Sequence, residues 1–82
     1  MYTQIEKVDK KNEIIHCYTK DDHAYSLDDV SNKAKKIVEL KRCGKNKQIE
    51  NYSTRINGDD YVMENSEGYP LYNYFQIHIE YK

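Results

Sequence analysis

The chain has no tryptophan, a single proline, a single phenylalanine, two arginines and three glycines among 82 residues. Each scarcity excludes something. No apolar run approaches the roughly 20 residues that span a bilayer, and Met1 leads straight into strand-like sequence without a secretory leader, so no membrane partner and a cytoplasmic location are expected. The two cysteines, Cys17 and Cys43, fall on different predicted elements without metal-ligand spacing and read as reduced thiols. Three scattered histidines add no metal site by spacing. There is no phosphate-cradling glycine loop, no nucleophile motif, no helix-turn-helix pair, no zinc-finger spacing and no RNP-like aromatic string. His16 and Cys17 are neighbours on a strand and point to opposite faces, so they cannot act together on one substrate. The expectation is a protein without catalytic residues, metal or cofactor.

What the chain does have is tyrosine and lysine. Nine Tyr, eleven Lys, eight Ile and seven Asn stand against two Ala and two Arg, a bias toward codons rich in A and T. An AT-rich source is expected: a low-GC bacterium, its phage, or another mobile element. A hydrophobic fraction of 38% is enough for one thin two-layer domain over residues 1–82.

The clearest pattern runs from Ala24 to Gly44. Ser26 and Asp29 form a capping box, Tyr25 and Val30 occupy the positions of a hydrophobic staple, and Asp28 and Asp29 complement the positive end of the helix dipole. Leu27, Val30, Ala34, Ile37 and Val38 make one apolar stripe. Lys41 continues it, its stem expected to pack and its ammonium to reach solvent. Gly44 is placed to end the helix in the left-handed conformation. Leu40 and Cys43 lie off the stripe.

Charge divides around this element. Residues 1–32 carry −3, residues 33–47 carry +6 and residues 48–82 carry −4, so a total of −1 hides a basic block between acidic flanks. Lys33, Lys35, Lys36, Lys41, Arg42, Lys45 and Lys47 form that block, a candidate contact for phosphates or for an acidic protein surface. Arg42 is its one arginine, which argues against base-specific DNA reading.

On either side of the helix the spacing predicts strands. Tyr2 to Val8 and Glu13 to Thr19 flank a turn, and pairing Val8 with Glu13 puts Ile5, His16 and Tyr18 on one face. Tyr52 to Ile56 and Tyr61 to Glu64 flank Asn57-Gly58-Asp59-Asp60, a strong hairpin signal. Leu71 to Tyr81 alternates, with Phe75, Ile77, Ile79 and Tyr81 inward and Tyr72, Tyr74, Gln76, His78 and Glu80 outward. The fold class expected is α+β, two-layer, in the order ββαβββ: a five-stranded antiparallel sheet with one helix packed on one face. The second face is then open. Tyr72, Tyr74, Gln76 and His78, with Arg55, are the candidate binding residues there.

The run Ala24-x-Ser26-Leu27-Asp28-x-x-x-x-Lys33-Ala34-Lys35-Lys36 resembles the start of the helix in one group of small phage-encoded anti-CRISPR proteins, which targets a type I surveillance complex. Several such proteins place one helix on a short antiparallel sheet. The class shares no sequence motif, so the resemblance assigns no residue a role. It implies a mode of action, stoichiometric inhibition of a host nucleic-acid-handling complex in an antiviral-defence setting. The basic helix separates this chain from the acidic DNA mimics of that class. The alternatives are a nonspecific DNA- or RNA-binding domain using the basic block, and a domain that covers its bare face with a second copy as a homodimer.

Overall fold

The structure is a computed structural model that describes residues 2–44 and 48–82. Its elements in chain order are β1 (Tyr2–Lys7), β2 (Asn12–Tyr18), a 3₁₀ turn (Asp21–His23), α1 (Leu27–Cys43), β3 (Ile49–Arg55), β4 (Met63–Glu64), β5 (Pro70–Leu71) and β6 (Tyr74–Tyr81). One helix packs on one face of an antiparallel sheet of order β1-β2-β6-β3. No helix among the described residues is long and apolar enough to cross a membrane.

The helix begins as its sequence dictates. The Asp29 amide donates to Ser26 Oγ at 3.2 Å and the Ser26 amide donates to Asp29 Oδ2 at 3.2 Å. This reciprocal cap satisfies two amides that have no partner within the helix, and such caps are worth about 1 kcal/mol. Val30, Ala34 and Val38 are buried against Ile15, Cys17, Ile49, Phe75, Ile77, Ile79 and Tyr81 of the sheet. Ile37 packs at the margin and Leu27, expected in the stripe, is exposed. Tyr25 meets Phe75 edge-on at 6.3 Å, holding the chain as it enters the helix. The far end differs from expectation. Gly44 has φ −72° and ψ 153°, an extended conformation, and its amide donates to the Lys41 carbonyl. The positive φ of a left-handed stop is not used there.

Lys41 also departs from expectation. Its Nζ donates to Glu13 Oε1 at 2.8 Å, and Tyr81 Oη donates to the same oxygen at 2.9 Å. Glu13 is 5% exposed on the covered side of β2, where an unpaired carboxylate would be costly. Burial opposes the Lys41 charge, but the Glu13 carboxylate outweighs it and raises the ammonium's pKa. Burial and the bond to Glu13 push the Tyr81 phenol up as well. This lysine ties the last turn of the helix to the centre of the sheet.

Two further differences concern the strands. The register of the first hairpin is Lys7 opposite Glu13, one residue from the expected pairing, so Ile5 shares the covered face with Ile15 and Cys17. Asp9 sets this register, because its Oδ1 accepts from the amides of Lys11 and Asn12 at 2.8 Å each and closes the turn early. The five-stranded sheet is replaced by four strands and a separate two-stranded ribbon, β4 with β5. Asn57-Gly58 does form a turn, with the Asp60 amide on the Asn57 carbonyl and the Asp59 amide on Asn57 Oδ1. That turn carries no positive φ, so it lacks the twist of a two-residue hairpin. The chain leaves the sheet there, and β3 pairs with β6 instead. Gly68, at φ 84°, supplies the left-handed residue in the turn of the β4–β5 ribbon.

Replacing Lys41 by Met keeps the packed stem and removes the charge opposite Glu13. The expected loss is about 1–3 kcal/mol of stability, since the Tyr81 hydroxyl remains as a donor. Urea unfolding monitored by far-UV circular dichroism measures it, and an unchanged midpoint would contradict the role given to this pair.

Candidate functional site

Sheet register places the side chains of the uncovered face in rows across the strands. Tyr2, Tyr18 and Tyr74 form the first row, and Gln4, His16, Gln76 and Arg55 the second. Glu6, Ile14, His78 and Ser53 form the third, and Asn12, Glu80 and Asn51 the fourth. The rows exist because β2 and β6 alternate strictly. Their odd-numbered residues from Glu13 to Cys17 and from Phe75 to Tyr81 are buried under the helix, which turns the even-numbered ones outward.

The first row is a ladder of rings. Tyr2 stacks on Tyr18 at 4.9 Å and 16°, and Tyr18 meets Tyr74 at 4.9 Å and 34°. His16 lies nearly parallel to Tyr74, 6.0 Å away. Next to the rings runs a chain of hydrogen bonds. His78 Nε2 lies 2.8 Å from Gln76 Oε1, Gln76 Nε2 donates to Tyr74 Oη at 2.8 Å, Tyr74 Oη lies 2.6 Å from His16 Nδ1, and His16 Nε2 lies 3.1 Å from Glu6 Oε1. One assignment lets every member but the accepting Glu6 donate once. His78 donates to the Gln76 carbonyl, the Gln76 amide to Tyr74, the Tyr74 hydroxyl to His16 Nδ1, and His16 Nε2–H to the Glu6 carboxylate. Bonds aligned in one sense reinforce each other, which favours this one arrangement of the face.

Between the β1–β2 turn and β3 the face dips into a concavity of about 420 Å³ lined by Val8, Asn12, Ile14, Ser53, Arg55 and His78 among others. Burial, then the positive charge of Arg55, hold the His78 imidazole below its ordinary pKa of 6.5. This face is polar and aromatic but nearly balanced in charge. Its fixed charges are Arg55 against Glu6 and Glu80, which nearly cancel.

Of the candidates for this face, Tyr74, Gln76, His78 and Arg55 do lie together on it. Tyr72 does not. It is 4% exposed and pairs through its backbone with Tyr25, the two amides donating to each other's carbonyls at 2.7 and 2.8 Å. β5 ends at Leu71 and the chain bends at Asn73, so the alternation that placed Tyr72 outward is broken before β6 begins. Sequence reasoning missed Glu6, His16 and the ring ladder. The signal was the strand register, since only Tyr2 opposite Tyr18 and Tyr18 opposite Tyr74 bring those rings into line.

The basic block is split. Lys35, Lys36 and Arg42 are exposed and Lys33 is half-exposed, and none of the four joins an ion pair among the described residues. Lys41 is withdrawn from the candidate surface by Glu13, because a buried carboxylate needs a cation. Lys45 and Lys47 lie outside the described residues. The fold brings Lys11 and Lys82 to the same end of the molecule, as the Tyr81 amide bonds the Lys11 carbonyl and the Lys82 amide bonds the Gln48 carbonyl. Glu50 and Glu80 come to that end with them, since Glu80 lies opposite Asn51 and Asn12. The resulting surface is mixed in sign.

His16 and Cys17 take opposite faces, as their adjacency requires, and Cys17 is wholly buried while Cys43 is exposed. Among the described residues no group of three or more His, Cys, Asp or Glu is placed to hold a metal ion. A scan against protein-family models and searches of curated proteins and of solved structures give no match to the chain.

Burial pushes the Cys17 thiol up to about 11, so it stays protonated at neutral pH. In the native protein iodoacetamide is expected to label Cys43 alone, with Cys17 reacting only after denaturation; equal rates for both thiols would place Cys17 at the surface. The depressed pKa of His78 has a definite sign. Folding disfavours its proton, so stability is retained above pH 6.5 and declines as pH falls below that value. His78→Gln should flatten the acid limb of a melting-temperature profile between about pH 7 and pH 5, and an unaltered limb would assign the slope to other groups.

Proposed function

We propose that the chain is a non-enzymatic, stoichiometric binding protein that docks onto a protein partner through its open sheet face. One observation carries this reading: the side chains of that face are locked in register by the ring ladder and the hydrogen-bond chain, with no second layer above them among the described residues. Tyrosine offers large contact area for little conformational entropy, and a face ordered in advance loses less freedom on binding. Aromatic rings with a single arginine and near-balanced charge match the composition of protein interfaces. They give little attraction for a polyphosphate backbone. The resemblance at the start of the helix supplies the partner class to try first, a type I CRISPR surveillance complex of the host cell, with the chain acting as an inhibitor encoded by a phage or mobile element.

A second reading is favoured by the unpaired Lys33, Lys35, Lys36 and Arg42 on the helix. These would give a salt-sensitive contact with DNA or RNA. Only one of the four is an arginine, and Glu39 lies among them on the helix, which makes it the weaker of the two.

The immobilised chain, presented with a purified type I complex and with host lysate, distinguishes them. Arg55→Glu with His78→Glu is expected to weaken capture of the partner about tenfold or more, as hot-spot losses do. Lys33→Glu, Lys36→Glu and Arg42→Glu together should leave it nearly unchanged. The opposite pattern, with binding that falls steeply as salt rises, would move the function to the helix. No partner at micromolar bait, combined with a measured turnover, would remove the binding reading altogether.

A further inference from the structure

β1 is the outer strand of the sheet, and its residues are hydrogen-bonded to β2 on one side only. All six residues of β1 are exposed. The helix lies over β3, β6 and β2, so Ile5 ends the row Thr54–Ile77–Ile15–Ile5 with half its surface in solvent. Edge strands are ordinarily guarded by bulges, prolines or inward charges. The opposite edge has such a guard, an irregularity between Ile49 and Asn51 of β3. β1 has neither proline nor bulge, its one charge on the helix side is Lys7 at the end of the strand, opposite Glu13, and it carries three exposed apolar side chains in or next to it: Tyr2, 65% exposed; Ile5, 52%; Val8, 54%.

We propose that this edge pairs with β1 of a second copy of the chain, antiparallel and centred on Ile5, to give one continuous eight-stranded sheet. The register follows from symmetry. A two-fold axis perpendicular to the sheet keeps both helices on the same face and must pass through a residue that faces its own copy. Centring on Glu6 sets two carboxylates against each other and Ile5 against Lys7. Centring on Gln4 sets Tyr2 against Glu6 and leaves Val8 without a neighbour. Centring on Ile5 pairs Ile5 with Ile5, Tyr2 with Val8, Gln4 with Glu6 and Thr3 with Lys7.

That register alone matches every exposed apolar residue of the strand with an apolar partner and opposes no like charges. Tyr2 and Val8 then meet on the open face, Val8 being a residue that lines its concavity, so the tyrosine row continues across the junction. The two bare β1 strands lie between the helices and keep them apart. A seven-residue strand pair is a narrow interface, so the association is of the weak, concentration-dependent class.

Sedimentation equilibrium of the full chain from about 1 μM to about 1 mM tests the pairing. The average mass is expected to double across that range, and Ile5→Lys to abolish the doubling while leaving the circular dichroism spectrum intact, because Ile5 is half exposed. The register is tested separately in a Cys43→Ser background under mild oxidation. Ile5→Cys should form a disulfide-linked dimer faster than Gln4→Cys, since only the former faces its own copy. A constant monomer mass, a dimer that persists in Ile5→Lys, or faster cross-linking of Gln4→Cys would each overturn the proposal.

Discussion

A helix about 10 Å across covers about two strands spaced at about 4.8 Å, and this sheet has four. Much of the molecule follows from that mismatch. α1 settles over the β3–β6–β2 side, where Val30, Ala34 and Val38 meet Ile77, Ile79 and Phe75. β1 is left bare on both faces, and among the described residues nothing roofs the reverse side of the sheet. Because β2 and β6 alternate strictly, each residue that builds the core sends its neighbours to the uncovered side. Core and open face are thus two readings of the same strands, and neither can shift register without the other.

The covered layer is specified by more than apolar area. Glu13 sits in it as a buried acid, and it is acceptable there only because Lys41 and Tyr81 both bond the same oxygen. A slip of β2 by one residue would carry Glu13 to the solvent face and strand Lys41, so the ion pair selects the observed register. Two such constraints act on the first hairpin, this one and the Asp9 turn, and they agree.

The start of the helix was legible because Ser26 and Asp29 act within four residues, and the facing of Phe75, Ile77, Ile79 and Tyr81 because alternation is local. The errors share a different origin. Asn57-Gly58 signals a turn, but which strand accepts the ends of β3 is decided by β6, more than twenty residues along the chain. Tyr72 reads as outward from parity alone, and a bend at Asn73 resets that parity. Lys41 reads as solvated until Glu13, 28 positions away, is brought beneath it. At the candidate site Tyr74, Gln76 and His78 were recognisable on one strand. The ladder with Tyr2 and Tyr18, and the link through His16 to Glu6, depend on pairing between strands and have no signature in a single segment.

The account depends most on the open face being accessible in solution while the opposite face is sealed. A neutral gadolinium chelate added to the isotopically labelled protein reads this residue by residue through paramagnetic broadening. Signals from Tyr2, Arg55 and His78 should broaden strongly at chelate levels that leave Val38, Phe75 and Ile77 sharp. Equal protection of Arg55, His78 and Phe75 would mean that the face is covered in solution, and would contradict the account.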